Sequence, residues 1–131
     1  MKTVLFACVH NAGRSQMAAA LFNSLANPTE ARAVSAGTDP GTQVHPEVMA
    51  VMNEVGIDLS NATPTTLTPE LAGTANMLIT MGCGDACPYV PGLIRDDWPL
   101  ADPKGKSLDE VRSIRDDIRR RVDALITKER W

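Results

Sequence analysis

Apolar and polar positions along this chain fall into blocks with two different periods. Residues 3–8 form a continuous apolar run, the pattern of a parallel strand buried on both faces. Residues 14–26 then carry Met17, Ala18, Leu21, Phe22 and Leu25 at helical spacing, and Asn27-Pro28 ends the helix. A short second strand is predicted over 32–36, running into Ser35-Ala36-Gly37. Pro46 suits the first position of a helix, Val48, Val51, Met52 and Val55 line one of its faces, and Gly56 is a natural C-terminal cap. Thr68-Pro69-Glu70-Leu71 reads as a capped helical turn, and Met77–Met81 as a third apolar strand. Residues 82–106 show no clear period and read as a functional loop, with a short edge strand near Leu93-Ile94-Arg95. The last helix starts at a capping box, Ser107-Leu108-Asp109-Glu110. Its predicted buried stripe is Leu108, Val111, Ile114, Ile118, Val122 and Leu125. The charged run from Arg115 to Arg121 falls mostly off that stripe and reads as a solvated face. Alternating strands and helices imply a three-layer α/β/α fold around a central four-stranded parallel sheet, with right-handed crossovers.

Composition narrows the picture. With 131 residues, the chain suits one domain over 1–131 with a real core. The net charge of −3 argues against a nucleic-acid partner. No apolar stretch approaches the roughly 20 residues that span a bilayer. The N-terminus has no signal-peptide architecture, so the cytoplasm is the expected location and a monomer the expected state. In that compartment Cys8, Cys83 and Cys87 are kept as thiols unless they act in catalysis. An odd number of cysteines fits reactive chemistry better than a static disulfide framework.

The strongest chemical signal is Cys8-Val9-His10-Asn11-Ala12-Gly13-Arg14-Ser15, at the junction of the first strand and first helix. Such a loop turns successive backbone N–H groups inward, and the helix behind it adds the positive end of its dipole. Val9, His10, Asn11, Ala12, Gly13, Arg14 and Ser15 would then surround a tetrahedral oxyanion. Arg14 supplies a planar fork matching two of its oxygens. Cys8 sits beneath as the nucleophile, and amides, dipole and Arg14 all favour its thiolate. Gly13 allows the backbone dihedrals of a tight cradle, and Asn11 tolerates left-handed geometry. The Ser15 hydroxyl can donate to the thiolate. A buried structural cysteine is the plain alternative, and it leaves the arginine, serine and Asn-Ala-Gly unexplained. His10 is expected to point outward, and His45 to be a helix-entry residue.

Three further groups carry weight. Cys83 and Cys87 follow the third strand, and an i, i+4 pair on a helical turn lies about 6 Å apart along the axis. That is within the range of a disulfide, so the two form a candidate pair that closes and reopens. No pair of residues has zinc-finger spacing, so no metal is expected. Asp102, before Pro103, can swing over an oxyanion and protonate a leaving oxygen. A turn-forming aspartate is the plain alternative there, with Asp96 and Asp97 nearby.

These residues resemble a known family. Cys8…Arg14-Ser15, the late Asp102-Pro103 and the α/β pattern are similar to the low-molecular-weight tyrosine phosphatases. The details resemble their arsenate-reductase branch, in its thioredoxin-coupled form: Gln16-Met17-Ala18 after Ser15, Ser35-Ala36-Gly37, Glu54-Val55-Gly56-Ile57-Asp58 and Arg115-Asp116-Asp117-Ile118. Lys104-Gly105 stands where the phosphatases carry tyrosine, and the pair Cys83 and Cys87 is the branch's own feature. The resemblance implies an arsenate reductase in arsenic detoxification, for which phosphate or sulfate mimics the substrate. It implies catalytic roles for Cys8, Arg14, Ser15, Cys83, Cys87 and Asp102, with a relay from Cys8 to Cys83 to Cys87. It implies no tightly bound cofactor and a thiol donor, thioredoxin first, with glutaredoxin–glutathione and mycothiol–mycoredoxin as alternatives. Only three residues separate Cys83 from Cys87, fewer than thioredoxin-linked members usually have. A phosphatase acting on aryl phosphates is the second reading, and a non-catalytic oxyanion sensor the third.

Overall fold

Strand β1 (Lys2–Cys8) lies at the centre of a sheet, between β2 (Ala31–Gly37) and β3 (Met77–Thr80), with β4 (Ile94–Asp97) beyond β3. All pairings are parallel, so the four strands run β2-β1-β3-β4. The computed structural model describes residues 1–82 and 92–131. Cys83 and Cys87 lie outside the described residues.

The predicted sheet is present, and its chemistry follows from burial. Thr3 to Cys8 are all buried, which is why β1 reads as a continuous apolar run. Side chains alternate between two layers. Val4, Phe6 and Cys8 join one core with α1 (Arg14–Leu25), α2 (Pro46–Asn53) and α4 (Leu108–Glu129). Leu5 and Ala7 join a smaller one with Ala36, Leu78 and Ala72 of α3 (Pro69–Gly73). In the larger layer the Phe6 ring meets Phe22 at 6.2 Å and Trp98 at 5.5 Å between centroids. Trp98 is buried there, with its indole N–H donated to Asp96 Oδ2 at 3.3 Å. Each fully buried large side chain of this kind contributes about 1.5–3 kcal/mol.

Helix boundaries follow local signals. The capping box at α4 is complete: the Ser107 hydroxyl accepts from the Glu110 amide, and the Glu110 carboxylate accepts from the Ser107 amide. Thr68 caps α3 through its hydroxyl. Gly56, at φ +79, ends the turn after α2: its N–H reaches Asn53 O and the Ile57 N–H reaches Met52 O, both at 3.0 Å.

Three expectations change. Leu108 is 43% exposed and Leu25 37%, so neither belongs to its predicted stripe. Both stand at the end of a helix, where the chain is leaving the packed layer. Arg115 leaves the solvated face: its side chain is 11% exposed and donates to Val51 O at 2.8 Å and to Glu54 at 2.9 Å. A carbonyl at the end of α2 and a carboxylate just past it draw the guanidinium inward.

Glu54 is the hub of that contact, taking Arg112 as well at 2.8 Å. These hydrogen bonds, from Arg112 first and Arg115 second, lower its carboxyl from 4.5 to about 2. A depressed carboxyl stabilises the fold above its unfolded value and loses that effect as pH falls through its folded value. Wild type is therefore expected to melt above Glu54→Gln by a constant margin at pH 5 and higher. That margin should close as pH falls from about 4.5 to about 2, in thermal melts followed by circular dichroism. Because the pair is half exposed, added salt should narrow it too.

Candidate active site

The segment between β1 and α1 hangs from its carbonyl groups. Thr38 N–H donates to Cys8 O at 3.1 Å, Asp39 N–H to Val9 O at 2.8 Å, Gly41 N–H to His10 O at 2.9 Å, and His45 N–H to Ala12 O at 3.0 Å. A trans peptide points its N–H opposite to its carbonyl. Tying these carbonyls to residues 38–45 therefore turns loop amides toward the other side, where the Cys8 sulfur sits. The Asn11 N–H does point there, at 3.2 Å from Sγ. Helix α1 adds its N-terminus to the same space, and its first turn holds no acidic residue to occupy those amides.

The left-handed residue of the loop is Asn11, at φ 50, rather than Gly13, at φ −145. Asn11 is fully buried and its side chain secures this conformation. Its Oδ1 accepts from Thr65 N–H at 2.9 Å and from the Gln16 amide at 3.2 Å. Those two donors fix the orientation of the Asn11 amide, so its Nδ2 donates to Ser15 Oγ, at 2.7 Å. Ser15 Oγ then acts as acceptor to Asn11, and its own proton is left for Cys8 Sγ, 2.8 Å away. Cys8 is 2% exposed, and its sulfur faces the Asn11 N–H and the Ser15 hydroxyl, both able to donate to it.

Gly13 serves contact. A Cβ there would stand 2.5 Å from Cγ of Pro103, so the Asp102-Pro103 segment packs directly on the loop. That packing brings Asp102 Oδ2 to 3.8 Å from Arg14 Nη2. Arg14 is 7% exposed, and its Nη1 donates to Leu100 O at 3.0 Å. Asp102 is 43% exposed, and its Oδ1 accepts from Lys104 N–H at 3.0 Å. A guanidinium, a more exposed carboxyl on a segment packed against the loop, and the buried thiol at the loop's start are groups that can bind a tetrahedral anion, attack it and protonate a leaving oxygen.

The structure thus brings Cys8, Asn11, Arg14, Ser15 and Asp102 together. His10 turns outward as expected: its Nδ1 donates to Asp39 O at 3.0 Å. Gln16, which the sequence marked only as part of the family resemblance, is a further member of the site. Its amide reaches Asn11 O, Asn11 Oδ1 and Thr63 O at 3.1–3.2 Å, and so orients the residue that orients Ser15. The available signal was an amide in the first turn of a helix, followed by the apolar run from Met17 to Phe22. Leu100 escaped notice because it acts through its carbonyl.

Known proteins resemble this chain along nearly its whole length. A family model described as low molecular weight phosphotyrosine protein phosphatase matches residues 3–130. The glutaredoxin arsenate reductase of Synechocystis is 38% identical over 98% of this chain and 98% of its own length. The solved thioredoxin-dependent arsenate reductase of Corynebacterium glutamicum superposes with a TM-score of 0.85 at 38% identity, covering 98% of this chain and 61% of that one. The YwlE arginine phosphatase of Geobacillus stearothermophilus superposes with a TM-score of 0.83 at 26% identity, over 99% of this chain and 94% of that one.

The hydrogen-bond chain makes a direct prediction. A hydrogen bond to a charged group is worth about 1.5–3 kcal/mol, which is tenfold or more in an equilibrium. Ser15→Ala should slow alkylation of Cys8 by iodoacetamide at neutral pH about tenfold, followed by peptide mass spectrometry. The melting temperature should fall by several degrees as well, because the variant leaves the buried Asn11 Nδ2 without its acceptor.

Proposed function

We propose that this chain, which belongs to the low molecular weight phosphotyrosine protein phosphatase family, is an enzyme that reduces arsenate to arsenite. The single observation that carries the reading is a pair of thiols in addition to Cys8, namely Cys83 and Cys87, which follow β3 in the sequence, the strand beside the one that ends in Cys8. A phosphatase needs one sulfur. A reductase that must supply two electrons needs partners for it. Relatives named as arsenate reductases support the same choice.

The loop amides and Arg14 hold arsenate over Cys8. The Cys8 thiolate forms a sulfur–arsenic bond while Asp102 gives a proton to the oxygen that leaves as water. The Cys83 thiolate then attacks the Cys8 sulfur. A Cys8–Cys83 disulfide forms, the sulfur–arsenic bond breaks, and its electron pair goes to arsenic, which departs as arsenite. Cys87 next attacks Cys83, releasing the Cys8 thiolate and leaving a Cys83–Cys87 disulfide. An external dithiol reduces that disulfide. Thioredoxin is the donor proposed, since the Corynebacterium relative is named for it; the Synechocystis relative is named for glutaredoxin, and mycothiol–mycoredoxin is the remaining candidate. A relay of free thiols belongs in a reducing compartment, which supports the cytoplasm.

Phosphatase activity is the second reading. The YwlE neighbour is an arginine phosphatase, and attack by Cys8 with protonation by Asp102 serves a phosphate ester as well. Hydrolysis of para-nitrophenyl phosphate, set against arsenate-dependent oxidation of NADPH, separates the two.

Cys87→Ser tests the order of the relay. It is expected to complete roughly one turnover, then to accumulate a Cys8–Cys83 disulfide in non-reducing mass spectrometry. Sustained turnover at the wild-type rate with thioredoxin would refute that order.

A further inference from the structure

We propose that Gly82 is a positioning residue for Arg14: its missing side chain is the seat on which the guanidinium lies. Gly82 follows β3 by two residues and has φ +97, a conformation that L side chains rarely adopt. A Cβ placed on it would stand 2.5 Å from Arg14 Nη1, 3.4 Å from Cζ and 3.7 Å from Nη2. The backbone at Gly82 therefore lies close against the Nη1 side of the arginine's planar end. The same Nη1 donates to Leu100 O at 3.0 Å, and Nη2 lies 3.8 Å from Asp102 Oδ2. Arg14 is thus clamped between the end of β3 and the segment that carries the candidate acid.

The clamp decides what a side chain at Gly82 would do. The atoms it would meet are the far end of a long, flexible side chain, which yields more easily than backbone. An added methyl would push the guanidinium off Leu100 O and out of line with the loop amides. Bidentate binding of an oxyanion depends on that line, because a planar fork matches two oxygens in one orientation. The inference rests on the reading that Arg14 binds a tetrahedral oxyanion. It adds that the chain leading directly into Cys83 sets where Arg14 points.

Gly92 is the natural control. It also has positive φ, +82, but a Cβ there meets nothing within 4 Å. Gly92→Ala carries the backbone strain without the contact. The readout is the phosphate concentration that half-protects Cys8 from iodoacetamide. Gly82→Ala should raise it about tenfold or more, and Gly92→Ala should leave it within about twofold of wild type. An unshifted Gly82→Ala, or an equal shift in both variants, overturns the inference. Lack of protection in wild type would instead overturn the oxyanion reading on which it rests. A melting cycle with Arg14→Ala covers the case in which Gly82→Ala folds poorly. The loss in melting temperature caused by Gly82→Ala should shrink when Arg14 is already alanine. An undiminished loss means that strain at φ +97 is the whole effect, and the clamp is wrong.

Discussion

The outward tethering of the 8–12 carbonyls is the constraint on which the site depends. Four amides from residues 38–45 take the carbonyls of Cys8, Val9, His10 and Ala12. With those tied, the Asn11 amide points to the sulfur, at 3.2 Å. Asn11 can then hold a left-handed backbone, because its side chain is bound by Thr65, Gln16 and Ser15. That geometry in turn orients Ser15 and leaves its proton for Cys8. Among the described residues, no buried side-chain nitrogen or oxygen lacks a partner, so the web holds without an orphaned group that would cost about 1–3 kcal/mol.

The rest of the fold delivers parts to this loop. Parallel strands place their C-terminal ends on one edge, where ligands of open α/β sheets bind. Cys8 ends β1, Gly37 beside it ends β2, and Gly82 lies just beyond β3. Helix α1 begins at Arg14, so the same residue opens the helix and reaches across to Leu100 and Asp102. Contact by shape completes the arrangement: Pro103 fits against Gly13, and Gly82 against Arg14.

What was legible in the sequence was mostly local. The strands and helices showed in their periodicity, and the caps at Ser107, Thr68 and Gly56 in residues a few positions apart. The Cys8–Ser15 loop was legible because a nucleophile, an arginine and a serine occupy one short segment. What escaped reading acts across long separations. The Arg14–Leu100 bond joins residues 86 apart, and Asn11 to Thr65 spans 54. Backbone carbonyls carry no letter in a sequence, and a glycine does not announce which side chain lies on it. Arg115 looked like one charge in a solvated run because its partners, Val51 and Glu54, belong to another helix and its end. The exposure of Leu25 and Leu108 was illegible for a related reason: periodicity marks a face but not where the packing along it stops.

Replacing Cys83 separates reduction from the chemistry shared with phosphatases. Cys83→Ser should be assayed for arsenate-dependent NADPH oxidation with each protein donor system, and for hydrolysis of para-nitrophenyl phosphate. Loss of arsenate turnover by about a hundredfold or more, with any ester hydrolysis of the wild type retained, is the expected result. Arsenate turnover at the wild-type rate in Cys83→Ser would contradict a relay that begins at Cys8 and passes through Cys83.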